Sequence, residues 1–321
     1  MNEGGAIHAV IDIGTTSVKL LVVHISARGV TRIHEESEQT RLGQGFYTSR
    51  VLEKSAIQRT SKAVENAASK ARLHQAQSIH TIATSAVREA HNQQELIEAV
   101  QASTGLKVRV ISGEEEANLV YDGVASAPEY HLRDLLVVDV GGGSSEFILG
   151  QGIDRKLRQS FPLGTVRLLD AFPPSDPPSH AELDKVMARV DQLFISEILP
   201  VMAPNLGHPN PTKPVLIATG GTATLLAMMH GVTDVFNPQQ IEALVLNYAD
   251  VYERKEKLWA MPVRMRQQIV GLPSSKVDVI LMGTAIVEAI MRHLGLLELR
   301  VSIGGLRFGL AHRVFEDVYK K

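Results

Sequence analysis

With 321 residues, 44% hydrophobic and 21% charged content and a net charge of −2, the chain has an ordinary globular composition and enough length for two cores. The near-neutral balance excludes a global field for nucleic acid, so any polyanion would have to be held by a local groove. Cysteine is absent, which excludes disulfides, thiolate metal sites and a thiol nucleophile. The first apolar run is broken by Asp12 and has no basic lead-in, so neither a signal peptide nor a membrane span is read there and a cytoplasmic location is expected.

An apolar strand from Ala6 to Ile11 enters Asp12-Ile13-Gly14-Thr15-Thr16-Ser17 and continues as a second strand from Val18 to Ile25. A hairpin at Arg28-Gly29 extends this sheet through Val30 to Glu36, and Leu42-Gly43-Gln44-Gly45 opens a loop. Helical spacing of Val51, Ile57, Val64, Ala67, Ala68 and Ala71 predicts a helix to Leu73. A strand at Ile79 to Ala83, a helix stopping at Gly105 and a strand from Lys107 to Ile111 follow. The Ser112-Gly113 break then precedes Glu114-Glu115-Glu116 and a helix through Val124. A lobe of residues 1–121 is expected to end close to this helix, with 122–321 as the second lobe.

The opening pattern returns there. Leu135 to Val138 enters Asp139-Val140-Gly141-Gly142-Gly143-Ser144-Ser145-Glu146, followed by Phe147-Ile148-Leu149 and a turn at Gln151-Gly152. Pro162-Leu163-Gly164-Thr165-Val166-Arg167 precedes a proline-rich loop from Phe172 to Pro178. Ser179 and Glu182 form a capping box for a helix to Leu199, which Pro200 is expected to end. A loop holding Pro204, Pro209, Pro211 and Pro214 leads to a strand at Val215 to Ala218 and a third glycine turn, Thr219-Gly220-Gly221-Thr222. Helices from Asn237 to about Trp259 and from Lys276 to Leu294, a strand at Leu299 to Ile303 and a closing helix at 306–319 complete the reading. That last helix could pack back on the first lobe. Alternating strands and helices imply an α/β protein with helices on mixed sheets.

Laid on each other, the two bends match Asp12 with Asp139 and Gly14 with Gly141. Glycines let main-chain N–H groups approach a ligand, and a strand-end aspartate can hold a cation or orient water, so a phosphorylated substrate bound between two lobes is the leading idea. Asp139 and Glu146 flank the second turn and can share Mg²⁺ or another divalent cation. Lys19 occupies the place that Glu146 holds in the second copy. Glu116 is the candidate for activating water; the plainer reading gives it charge complementarity to a helix N-terminus. Arg88 can reach from a strand end into a cleft, or could simply pair with Glu89 or Asp12 on the surface. Arg41, Arg167 and Arg307 each adjoin a glycine-bearing turn, a mild hint of phosphate contact. Zinc-hydrolase, P-loop, esterase-elbow and dinucleotide fingerprints are all missing.

These motifs, with Arg41-Leu42-Gly43-Gln44-Gly45, Ala83-Thr84-Ser85-Ala86-Val87-Arg88-Glu89-Ala90, Ile111-Ser112-Gly113-Glu114-Glu115-Glu116-Ala117, Ala218-Thr219-Gly220-Gly221-Thr222-Ala223-Thr224 and Gly305-Leu306-Arg307, are specific in their order and spacing. The chain resembles the exopolyphosphatase and guanosine pentaphosphate phosphohydrolase family, a branch of the superfamily of actin, sugar kinases and heat-shock chaperone ATPases. The resemblance implies two actin-like, ribonuclease H-like lobes with an active site in the interlobe cleft. It implies Glu116 as catalytic carboxylate, Arg88 reaching across the cleft, and a metal pair of Asp139 and Glu146. Phosphate would be held by Asp12, Gly14, Thr15, Thr16, Ser17 and Lys19, by Gly141, Gly142, Gly143, Ser144 and Ser145, and by Gly220 and Gly221. Expected partners are inorganic polyphosphate or guanosine pentaphosphate, with a homodimer as assembly and no nucleic acid or membrane. Thr15-Thr16-Ser17 departs from the usual Ser-Asn-Ser, Lys19 stands where arginine is frequent, and the chain resembles the short, two-domain form. An ATP-dependent small-molecule kinase and a non-catalytic polyphosphate or guanosine-phosphate regulator are the alternatives.

Overall fold

The structure, a computed structural model, describes residues 5–130, 132–206 and 213–319. The chain forms two compact units, Met1–Ser126 with Gly304–Lys321, and Ala127–Ile303. The first unit thus runs past residue 121 to Ser126 and takes the closing helix as well.

In the first unit, β1 (Ala6–Ile13), β2 (Ser17–Ser26), β3 (Gly29–Gln39), β4 (Ser78–Ala83) and β5 (Val108–Val110) form a sheet of order β3-β2-β1-β4-β5. Strands β1 and β2 are apolar at nearly every position because both faces are covered. Ala9, Ile11, Ile13, Leu20 and Val22 meet Ile57, Val64, Ala67, Ala68 and Ala71 of helix α1 (Lys54–Leu73). Leu21, Val23 and Ile25 on the opposite face pack with Ala311 of the closing helix. Short helix α2 (Ser85–Glu89) and helix α3 (Gln93–Thr104) follow β4, and α4 (Gly113–Ala125) follows β5. The closing helix crosses α4 at backbone contact, since a Cβ on Gly309 would overlap the Leu119 carbonyl and one on Gly123 the Gly305 carbonyl. Arg313 Nε donates to Asp122 at 3.1 Å beside this crossing.

The second unit repeats the plan. Strands β6 (Asp134–Val140), β7 (Ser145–Gln151), β8 (Asp154–Phe161), β9 (Val215–Thr219), β10 (Val245–Asn247) and β11 (Glu298–Val301) take the order β10-β11-β9-β6-β7-β8. As β1 pairs antiparallel with β2 and parallel with β4, so β6 pairs with β7 and β9.

Several elements differ from the sequence expectation. Strand β8 and helix α5 (Thr165–Ala171) had no counterpart in it. The helix that begins as α6 (His180–Leu193) does not end at Pro200: after a π-type turn at Phe194–Ile198 it continues as α7 (Leu199–Leu206), with Pro204 inside. Pro200 directly follows the π-type turn and sits inside the continuing helix. Pro209 and Pro211 lie outside the described residues. The third glycine turn is instead the start of helix α8 (Gly220–His230). The expected helix from Asn237 to Trp259 is α9 (Pro238–Glu242), strand β10 and α10 (Tyr248–Trp259), divided by an Asn247/Asp250 capping box. Helices α11 (Val279–Leu294) and α12 (Leu306–Tyr319) match their expected spans closely.

Candidate active site

Each unit carries the Asp-x-Gly bend in the same geometry. Asp12 faces Lys19 and Ile13 faces Val18 across β1 and β2, as Asp139 faces Glu146 and Val140 faces Ser145 across β6 and β7. In both turns the glycine N–H closes the bend, Gly14 to Ser17 O and Gly141 to Ser144 O, each at 3.0 Å. The turn carbonyls are then occupied from within. Thr15 O accepts from Gly43 N (2.8 Å), and Thr16 O from Thr40 N and Arg41 N (3.1 and 2.9 Å). Gly141 O accepts from Thr165 N (3.0 Å), Gly142 O from Val166 N and Arg167 N (2.8 and 3.1 Å), and Gly143 O from Arg167 Nε (2.8 Å). Among the described residues no backbone carbonyl takes the amides of Thr15, Thr16, Gly142 or Gly143. Bends with carbonyls tied inward and amides left over are concavities for anions.

A buried leucine and a glycine brace each bend. Leu42-Gly43 and Leu163-Gly164 follow the third strand of their sheets, with both leucines fully buried. A Cβ on Gly43 would meet the Thr15 side chain, and one on Gly164 the backbone of Gly142 and Gly143. Ser145 belongs to the same bracing: it is fully buried and its hydroxyl donates to Leu163 O at 2.5 Å.

The charges of the two bends differ. Asp12 is 7% exposed and its Oδ1 has no partner among the described residues. Burial raises its pKa above the ordinary carboxylate value, while Lys19 and Arg307 act to lower it. Arg307 is itself held by Leu20 O (3.0 Å) and Glu35 (2.6 Å). Because the folded state binds the Asp12 proton more tightly than the unfolded chain, this group's contribution to stability is fully present below the unfolded value of 3.8. It is lost as pH rises through the higher folded value. Asp12→Asn is therefore expected to raise the neutral-pH melting temperature by a few degrees while lowering turnover, the stability gain fading below pH 4. Thermal melts of both proteins from pH 3.5 to 8 check it, and a pH-independent difference would contradict it.

In the second bend, Glu146 is 2% exposed and accepts from Ser160 Oγ at 2.7 Å. Ser160 is its neighbour on β8, and Thr219 is the neighbour of Asp139 on β9. Thr219, Asp139, Glu146 and Ser160 thus form one row across β9, β6, β7 and β8. Gly220, with φ of +83°, leaves room for Asp139, since a Cβ there would overlap its carboxylate. The carboxylate therefore lies against the start of α8, whose first residues are Gly220 and Gly221. Thr219 is 1% exposed and its hydroxyl has no partner among the described residues. Two carboxylates with a buried, unsatisfied hydroxyl in the same row form a hard-oxygen donor set that fits Mg²⁺. Among the described residues no three acidic or histidine side chains gather, so such a cation would complete its shell with hydroxyl, water or phosphate oxygens.

Glu116 is placed by the start of α4. Ser112 Oγ accepts from Glu115 N (3.1 Å), and Glu116 N donates to Ser112 O (2.9 Å). The Glu116 carboxylate, in a residue 8% exposed, accepts from Arg88 at 2.9 Å, and Arg88 also donates to Ile111 O at 3.0 Å. Neither surface pairing considered for Arg88 forms: Glu89 instead pairs with Arg50 and accepts from Ser85 Oγ (2.9 Å). The bonds of Arg88 to Glu116 and Ile111 stay within the first unit. The sequence places Thr219 in the third glycine turn without a role, and Ser160 and the Arg88–Glu116 pairing went unnoticed in it.

A model of the Ppx/GppA phosphatase family matches residues 21–317. A bifunctional 3-dehydroquinate synthase/phosphatase of Fusobacterium nucleatum is 29% identical over 304 residues, 90% of this chain and 44% of that protein. Exopolyphosphatase 2 of Mycobacterium tuberculosis is 29% identical over 318 residues, 94% of this chain and 97% of that protein. A guanosine-5'-triphosphate,3'-diphosphate pyrophosphatase of Pseudoalteromonas translucida is 26% identical over 313 residues, 98% of this chain and 60% of that protein. The chain therefore spans less than two thirds of two of these relatives and nearly all of the third. The structure of an exopolyphosphatase from Cytophaga hutchinsonii is 25% identical, with a TM-score of 0.86 over 97% of this chain and 98% of that one. The duplicated sheets are two actin-like lobes, and a family match over nearly the full length places the chain in the Ppx/GppA phosphatase family.

Proposed function

We propose that the chain is an exopolyphosphatase that releases terminal orthophosphate from inorganic polyphosphate, and that it also removes the 5′ γ-phosphate of guanosine pentaphosphate. As a member of a phosphatase family it is a phosphoric anhydride hydrolase; the polymer it acts on is the finer part of the proposal. The observation that carries it is the pair of bends whose carbonyls are tied inward while the amides of Thr15, Thr16, Gly142 and Gly143 are left for anionic oxygens. The near end-to-end match to an exopolyphosphatase supports the polymer over a nucleotide as first substrate.

In this reading the amides and Lys19 hold non-bridging oxygens, and Glu116 accepts a proton from the attacking water while Arg88 holds its carboxylate in place. The water oxygen bonds to the terminal phosphorus, the bridging P–O bond breaks, and its electron pair leaves on the shortened chain. Mg²⁺ held by Asp139 and Glu146 would neutralise the phosphate oxygens. The test is orthophosphate release, with Mg²⁺ present, from polyphosphates of defined length and from guanosine pentaphosphate, run beside ATP with candidate acceptors. Release from the chain end supports the proposal. Phosphoryl transfer from ATP to an acceptor would replace it with the kinase reading, and binding without release with the regulator reading.

A further inference from the structure

One group in the row across the second sheet has no bonding partner among the described residues. Thr219 occupies the N-cap position of α8, where a threonine hydroxyl ordinarily accepts from an amide of the first turn; here it caps nothing. It is 1% exposed and its Oγ1 has no partner among the described residues. Threonines just beyond it are satisfied: Thr222 donates to Val140 O at 3.2 Å and Thr224 to Gly220 O at 2.9 Å. Thr40, Thr60 and Thr81 also bury hydroxyls without a partner among the described residues, but Thr219 alone of these stands in the row of Asp139 and Glu146, where an ion or water can satisfy it.

The first sheet supplies an internal comparison. Its corresponding row, set by the same strand pairings, reads Ile82, Asp12, Lys19 and Ser37. Where the neighbouring strand carries a lysine, the threonine position carries isoleucine. Where it carries Glu146, the position carries a hydroxyl. The second carboxylate and the hydroxyl thus occur together in one copy and are replaced together in the other. A hard-cation site accounts for both, because oxygen donors at either side of Asp139 serve a divalent ion, whereas the first bend sets the cationic Lys19 opposite Asp12 in place of the second carboxylate.

We propose that Thr219 Oγ1 is an additional oxygen donor, directly or through one water, to a divalent cation held by Asp139 and Glu146, and that Ser160 orients Glu146 for it. The inference rests on the reading of Asp139 and Glu146 as the metal pair. Thr219 supplies a neutral donor, so it adds coordination without adding charge. Ser160 acts only through its bond to the Glu146 carboxylate and is a positioning residue.

The test is Mn²⁺ binding to the full chain without substrate, followed by loss of the free-ion electron paramagnetic resonance signal, for Thr219→Val, Thr219→Ser, Ser160→Ala and Asp139→Asn. Thr219→Val and Ser160→Ala are expected to weaken Mn²⁺ by about tenfold or more, as removing supporting donors of metal sites does. Thr219→Ser should bind as the parent does, and Asp139→Asn should lose binding. The metal-free melting temperature shows whether each variant folds; should valine overpack the position, Thr219→Ala takes its place under the same criterion. Parent-like binding by the hydroxyl-deleted variant, with binding lost in Asp139→Asn, would overturn this inference and leave the metal pair standing. Parent-like binding by Asp139→Asn would overturn both.

Discussion

Glu116→Gln is expected to lower phosphate release by roughly 10²–10⁴-fold, the range for loss of a positioned general base, with polyphosphate affinity little changed. Glutamine keeps the size of the side chain and still accepts from Arg88, so the contact measured at 2.9 Å survives in neutral form. What it loses is the ability to take a proton from water. The cap at Ser112 and the bond from Glu116 N to Ser112 O hold the backbone independently of the side chain, so the start of α4 should not move. Arg88→Ala should behave differently, because it leaves the Glu116 carboxylate, in a residue only 8% exposed, without its cationic partner. Stability should then fall together with rate. Single-turnover release, equilibrium binding and a thermal melt on both variants separate these effects. A Glu116→Gln enzyme that turns over at the parent rate would reduce Glu116 to a structural partner of Arg88.

The parts of this site that could be seen in the sequence are those whose chemistry is local. Asp12 with Gly14, and Asp139 with Gly141, lie within one bend, and the structure gives the two bends the same register and closing bond. The parts that could not be seen depend on neighbours distant in the chain or on an atom left without one. Ser160 lies on β8, an outer strand on which Asp154, Lys156, Arg158 and Gln159 are exposed, so the apolar alternation that reveals a strand is absent. The Arg88–Glu116 bond joins α2 to α4, and no local spacing rule pairs them. Gly220 and Gly221 looked like a turn because glycine disfavours helix interiors, yet they occupy a first turn, where Gly220 makes room for the Asp139 carboxylate. The division at Asn247 did leave a signal, since Asn247 and Asp250 have capping-box spacing, but the surrounding helical periodicity masked it.

The other large effect is expected at Gly164, where alanine should cut phosphate release by about 100-fold or more while costing only about 1–3 kcal/mol of stability. Its φ of −143° is extended backbone that any residue adopts, so conformational strain contributes nothing and the substitution isolates one contact. That contact is severe, because the added Cβ would fall on the Gly142 carbonyl and the Gly143 backbone, neither of which can rotate away as a side-chain tip could. The bend must shift instead. Doing so breaks or stretches the bonds from Thr165, Val166 and Arg167 that hold the carbonyls of Gly141, Gly142 and Gly143 inward. Once those carbonyls are released, the amides of Gly142 and Gly143 no longer present a fixed concavity to phosphate. The core of the second unit is built elsewhere, from Leu136, Val138, Phe147 and Leu149 against Ile286 and its neighbours, so the fold should persist. Gly231→Ala is the matched control: its φ is −76° and its nearest prospective contacts are at 3.4 Å, so rate and stability should stay near those of the parent. Release kinetics and thermal melts on the pair decide the matter: a Gly164→Ala protein with undiminished release would show that the bend is not where phosphate is held.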